Sequence, residues 1–177
     1  MSYEDITAGN EIPDDFFTVI EMPANHSPVN YEVDNLSGQI FVDSFLCAST
    51  LYPAYYGFIP NTLCEDGAPL DVLLICPYPI SSGVVVRSRP VGVMHTNDET
   101  GPGAKVVAVP HENLTPIYSH VKEWEDFPVL LLAQIQHYFE NHKALEPGKW
   151  VKVGRWGCAD EAREAIRKSV VAYVQKQ

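Results

Sequence analysis

Five runs of β-forming residues, each closed by turn residues, restrict this chain to a few folds. They are residues 16–22 (FFTVIEM), 39–43 (QIFVD), 70–76, 84–94 and 105–109. Their regular spacing through the first two thirds of the sequence predicts a closed barrel rather than an alternating β-α-β sheet. The period then changes twice. Residues 126–143 mix apolar and polar positions as a helix does, with Asp126 as the expected N-cap and Pro128 in the first turn. Residues 160–174 bring Ala162, Ile166, Val170, Tyr173 and Val174 onto one helical face, with Asp160 as the expected cap. The pattern predicts an α+β fold, mainly β: a small barrel flanked by two main helices, forming one domain over residues 1–177.

The balance of residues excludes several classes of function. A formal net charge of -11 disfavours nucleic acid, whose phosphates need clustered lysines and arginines. No apolar run is long enough to span a bilayer, and the acidic start Met1-Ser2-Tyr3-Glu4-Asp5 is unlike a signal peptide. The expectation is a soluble cytoplasmic protein without a membrane partner. Cys47, Cys64, Cys76 and Cys158 form no C-x-x-C pair and read as free thiols.

Chemistry concentrates in Glu65-Asp66-Gly67-Ala68-Pro69-Leu70-Asp71. Asp66 and Asp71 bracket a turn beside an apolar strand, which suits a hard cation such as Mg²⁺ that prefers oxygen ligands and keeps several waters. Ala68, between them, offers neither a ligand nor a proton acceptor. Further acids fall near strand ends at Glu21, Glu32 and Asp98-Glu99, and tyrosines cluster in Tyr52-Pro53-Ala54-Tyr55-Tyr56-Gly57.

Together these segments resemble the soluble family I inorganic pyrophosphatases in their bacterial form. The likeness extends through Val19-Ile20-Glu21-Met22-Pro23-Ala24-Asn25, Arg89-Pro90-Val91-Gly92-Val93, Val107-Ala108-Val109-Pro110 and Gly148-Lys149-Trp150-Val151. The resemblance implies a five-stranded OB-like barrel with two principal helices, and hydrolysis of diphosphate with bound Mg²⁺ or Mn²⁺. It implies metal ligands at Asp66, Asp71 and Asp98. Glu21 and Glu32 match carboxylates on the substrate-metal side, and Lys105 and Lys143 match phosphate-binding lysines. Tyr52 matches a tyrosine lining the site, and Tyr56 one that hydrogen-bonds near the attacking oxygen. His137 matches a subunit-contact position, while Asn141 stands where a second interface histidine is common; a homohexamer is implied.

Five positions depart from the family pattern. Asn30 and Ser44 stand where it has a phosphate-binding lysine and arginine. Ala68 and Gly103 replace aspartates, the first of them the base of the metal loop. His142 replaces a tyrosine that contacts product phosphate, and its imidazole can supply acid–base chemistry near neutral pH. Losing a general base costs about 10²–10⁴-fold, and each lost charge-assisted phosphate contact about 1.5–3 kcal/mol. These losses predict weak or absent pyrophosphate hydrolysis and a reduced or weak metal site. The pocket would then be repurposed for another small anionic ligand, a phosphate compound or a carboxylate. A working pyrophosphatase and a non-catalytic partner protein are the alternatives.

Overall fold

The computed structural model describes residues 2–176. Nine strands and two helices follow in chain order: β1 (Gly9–Glu11), β2 (Asp15–Met22), β3 (Val29–Val33), β4 (Ile40–Phe45), β5 (Tyr55–Ile59), β6 (Leu70–Leu74), β7 (Val85–Asp98), β8 (Gly101–Pro110), α1 (Val129–Asn141), β9 (Val151–Gly157) and α2 (Ala159–Lys176). The large sheet runs β1-β2-β5-β6-β8-β7-β9, and β7 also pairs with β2. That last pairing closes β2, β5, β6, β8 and β7 into a ring, the expected five-stranded barrel. Closure is reinforced by Arg87 of β7, whose Nε donates to the buried Asp15 carboxylate of β2 at 2.9 Å. The guanidinium holds Asp15 below the usual carboxylate range.

Side-chain alternation divides the barrel strands between two cores. Val72 and Leu74 of β6, with Val106 and Ala108 of β8, join the core covered by Ala162 and Ile166 of α2. Leu73, Val107 and Val109 point the other way, to the core containing Ile135, Tyr138 and Phe139 of α1. By the same period of two, Asp71 and Lys105 share the α1 side of the sheet. Close approach of β2 and β5 requires Gly57: a Cβ there would stand 1.9 Å from the Val19 carbonyl oxygen. Pro90, which has no N–H to donate, sits where the β7–β8 register shifts.

Both expected helix caps are corrected. α1 begins at Val129 with Pro128 in the cap position, and Asp126 instead accepts the N–H groups of Lys122 and Glu123 to close the 3-10 turn Trp124–Asp126. Asp160 lies inside the first turn of α2, and the Ala159 N–H is taken by Glu123 Oε2 at 2.8 Å. Val174 faces solvent at 66% exposure rather than the core. Strands β1, β3, β5 and β9 lie outside the five runs that the sequence marks most clearly. No helix among the described residues is long and apolar enough to cross a membrane.

Candidate active site

β6 and β8 run parallel with Asp71 directly opposite Lys105, so the backbone register itself puts a carboxylate beside an ammonium. Lys105 Nζ lies 2.8 Å from Asp71 Oδ2 and donates to the Tyr56 hydroxyl at 3.3 Å. The same ammonium stands 5.1 Å from the Tyr56 ring centre and 5.7 Å from that of Phe139. Asp66, Asp71, Asp98 and Lys105 line one open cleft of about 680 Å³, together with Ala68 and Gly103. The three expected metal ligands are therefore gathered in one place. Ala68 and Gly103 leave room rather than carboxylates in that cleft. Among the described residues no three acids, histidines or cysteines converge into a preformed cage.

The loop is set by its own backbone. Gly67 takes a φ of 87°, open to glycine and strained for other residues, and Asp66 Oδ1 accepts the Ala68 N–H at 3.0 Å. Asp98 ends β7 and accepts the N–H and hydroxyl of Thr100 at 2.8 and 2.6 Å, which hold it below the usual carboxylate range despite partial burial. Lys143 reaches Asp98 and Glu99 at 3.7 and 3.6 Å.

Glu21 supports this arrangement from β2. Its Oε1 accepts the Val33 N–H at 3.0 Å. Burial pushes its pKa up to about 7, with Asp71, Glu32 and Asp43 adding repulsion. A half-buried carboxylate surrounded by three others is short of positive charge, and a divalent cation fits that deficit chemically. Glu32 itself is exposed on β3. Asp43, not among the residues picked from the sequence, belongs to this acidic group; its place beside Ser44 was the available signal. Asn30 and Ser44 are cross-strand partners on β3 and β4, and the Asn30 amide donates to the Ser44 hydroxyl at 2.9 Å. The hydroxyl in turn donates to Asp43 at 2.9 Å. Asn30 and Ser44, the two positions read as lost phosphate contacts, thus form a neutral pair leaning on a carboxylate.

The tyrosines form a wall. Tyr52 lies 5.8 Å from Tyr56 and 4.4 Å from Tyr138 between ring centres, and His142 stacks on Tyr138 at 5.1 Å. Burial beside Asp71 raises the Tyr56 phenol far above its ordinary value, so it stays protonated and acts as a donor, not a base. Tyr52 is pushed up to about 12, chiefly by burial. His142 Nδ1 is 2.9 Å from the Phe139 carbonyl, which can only accept, so Nδ1 carries the hydrogen and Nε2 keeps its lone pair. Burial, with Lys143 and Lys105 nearby, lowers the affinity of His142 for a second proton. Cys64 borders the cleft, but burial and the loop acids push its thiol up to about 11, leaving it inert as a nucleophile.

Residues 18–174 match the family model described as inorganic pyrophosphatase. The chain is 73% identical over 177 residues to inorganic pyrophosphatase 2 of Pseudomonas syringae pv. tomato, covering 100% of this chain and 98% of the relative. It is 56% identical over 173 residues to inorganic pyrophosphatase of Pseudomonas aeruginosa, covering 98% and 99%. Among solved structures, inorganic pyrophosphatase from Thermus thermophilus superposes with a TM-score of 0.91 at 40% identity, covering 98% of this chain and 99% of that one. These similarities overturn the expectation of a repurposed pocket with weak or absent pyrophosphate hydrolysis. Taken one at a time the departures all point toward lost activity, but residues of one site act as a unit, so single side chains do not fix the activity of the whole.

Proposed function

Since the chain belongs to the inorganic pyrophosphatase family, we propose that it is a working Mg²⁺-dependent inorganic pyrophosphatase, converting diphosphate and water to two phosphates. The observation that carries this reading is the cleft in which Asp66, Asp71 and Asp98 face Lys105 on a fold shared with that family. Asp66, Asp71 and Asp98 would hold the metal, and Glu21 and Glu32 would extend the acidic wall toward metal carried by the substrate. Mg²⁺ supplies charge neutralisation for the phosphates and lowers the pKa of a water that it carries, with Mn²⁺ able to substitute.

The protein's side chains orient and exchange protons. Lys105 and Lys143 contact phosphate oxygens. Tyr52 packs behind Tyr56, whose hydroxyl donates a hydrogen bond near the attacking oxygen. His142 accepts a proton at Nε2, the one ring nitrogen with a free lone pair. A homohexamer in the cytoplasm fits the family, and α1 supports such assembly by exposing Val129, Leu130 and His137.

Phosphate release from pyrophosphate, followed with Mg²⁺, with Mn²⁺ and in EDTA, tests the reading. Metal-dependent turnover that Asp71→Asn removes is the expected result. Failure of the folded wild-type protein to release phosphate with either metal would refute it.

A further inference from the structure

Lys105 occupies an unusual position for an anion ligand, because its charge is already spent on Asp71. The contact is short, at 2.8 Å, and the parallel register that places Asp71 opposite Lys105 enforces it. The lysine side chain is only 16% exposed, with its ammonium set among the Tyr56 and Phe139 rings. Lys143 differs: it reaches Asp98 and Glu99 at 3.7 and 3.6 Å and shares itself between them. Arg89 is committed elsewhere, donating to the Val121 carbonyl at 2.7 Å and to the Tyr118 carbonyl.

We propose that Lys105 is the resident counter-cation of Asp71 in the metal-free protein, and that a divalent metal taking Asp71 releases it to bind phosphate. The proposal rests on the reading of Asp71 as a metal ligand. A metal bonded to a carboxylate sits about 2.0–2.1 Å from its oxygen, which brings two like charges together if the ammonium stays. Repulsion drives the ammonium off Asp71, and the tyrosine and phenylalanine rings keep it inside the cleft. Metal loading therefore arms the anion clamp. Linkage requires the converse, that phosphate bound to Lys105 raises metal affinity by the same factor.

Calorimetry with MgCl₂ and ³¹P titration with inorganic phosphate test this on wild-type protein and Lys105→Met. Lys105→Met is expected to bind Mg²⁺ about tenfold more tightly without phosphate, since the competitor is gone. In EDTA the two proteins should bind phosphate equally weakly, or both undetectably. With saturating Mg²⁺ the wild type should bind phosphate about tenfold more tightly than the variant. The same loss of phosphate affinity with and without Mg²⁺ would overturn the proposal, as would unchanged Mg²⁺ affinity in the variant. Folding of Lys105→Met is checked by circular dichroism, and Lys105→Arg, which keeps the charge, should retain wild-type Mg²⁺ affinity within a fewfold. Absence of Mg²⁺ binding, or binding unaffected by Asp71→Asn, would instead overturn the metal assignment beneath it.

Discussion

Replacing Glu21 with glutamine probes the charge deficit of the cleft. Glutamine keeps an oxygen to accept the Val33 N–H, so the 3.0 Å hydrogen bond survives while the charge goes. The glutamate pKa is pushed from 4.5 up to about 7 by burial and by Asp71, Glu32 and Asp43. Between those values the folded protein holds the proton more tightly than the unfolded chain, so stability falls as pH rises through the window. At about 1.4 kcal/mol per tenfold in proton affinity, the metal-free wild type carries a penalty of about 3 kcal/mol above pH 7 and none below pH 4.5. Glu21→Gln has no such slope. Urea unfolding in EDTA at fixed protein concentration should give matching stabilities near pH 4.5. The variant should gain about 3 kcal/mol by pH 8, or roughly 6–12 °C in Tm. Saturating Mg²⁺ should shrink or invert the gain, since the cation neutralises the carboxylates. A difference independent of pH, or a variant less stable at pH 8 in EDTA, would refute the electrostatic argument.

Other expectations follow from single contacts. Gly57→Ala forces a methyl to 1.9 Å from the Val19 carbonyl and should part β2 from β5, seen as loss of soluble protein or a large drop in Tm. Ile166→Ala empties a fully buried position under α2 and should cost about 2–5 kcal/mol in denaturant unfolding, with the metal cleft intact. His142→Phe keeps the stack on Tyr138 but removes the Nε2 acceptor; kcat should fall about 10²-fold or more, with little change in Mg²⁺ affinity. If kcat holds, His142 is only packing. Ala68→Asp adds a carboxylate to the open side of the cleft and should tighten Mg²⁺ binding severalfold by calorimetry.

Asp15 shows why local pattern falls short of closure. The sequence marks β2 as an apolar run, and nothing in it says that Asp15 at its head will be buried against Arg87, 72 residues away. Asn30 and Ser44 teach the same lesson at the site. Read singly they are lost cations; paired across β3 and β4, the Asn30 amide nitrogen donates to Ser44 and the Ser44 hydroxyl donates to Asp43. Asp126 and Asp160 are acids near helix starts, as caps should be, yet the chain enters α1 through Pro128 and α2 under Glu123. Cap position depends on where the preceding segment arrives, which tertiary packing sets.

Alternation of period two, the two helical stretches and the Asp66–Asp71 turn are properties of near neighbours in the chain. They determined the mainly β class, the two helices and the place of the acidic loop. Pairing Asp71 with Lys105, gathering Asp98 into the same cleft and raising the Glu21 pKa bring together groups far apart in sequence. Tertiary structure alone decided these, because Coulomb attraction and desolvation depend on distance and burial in space.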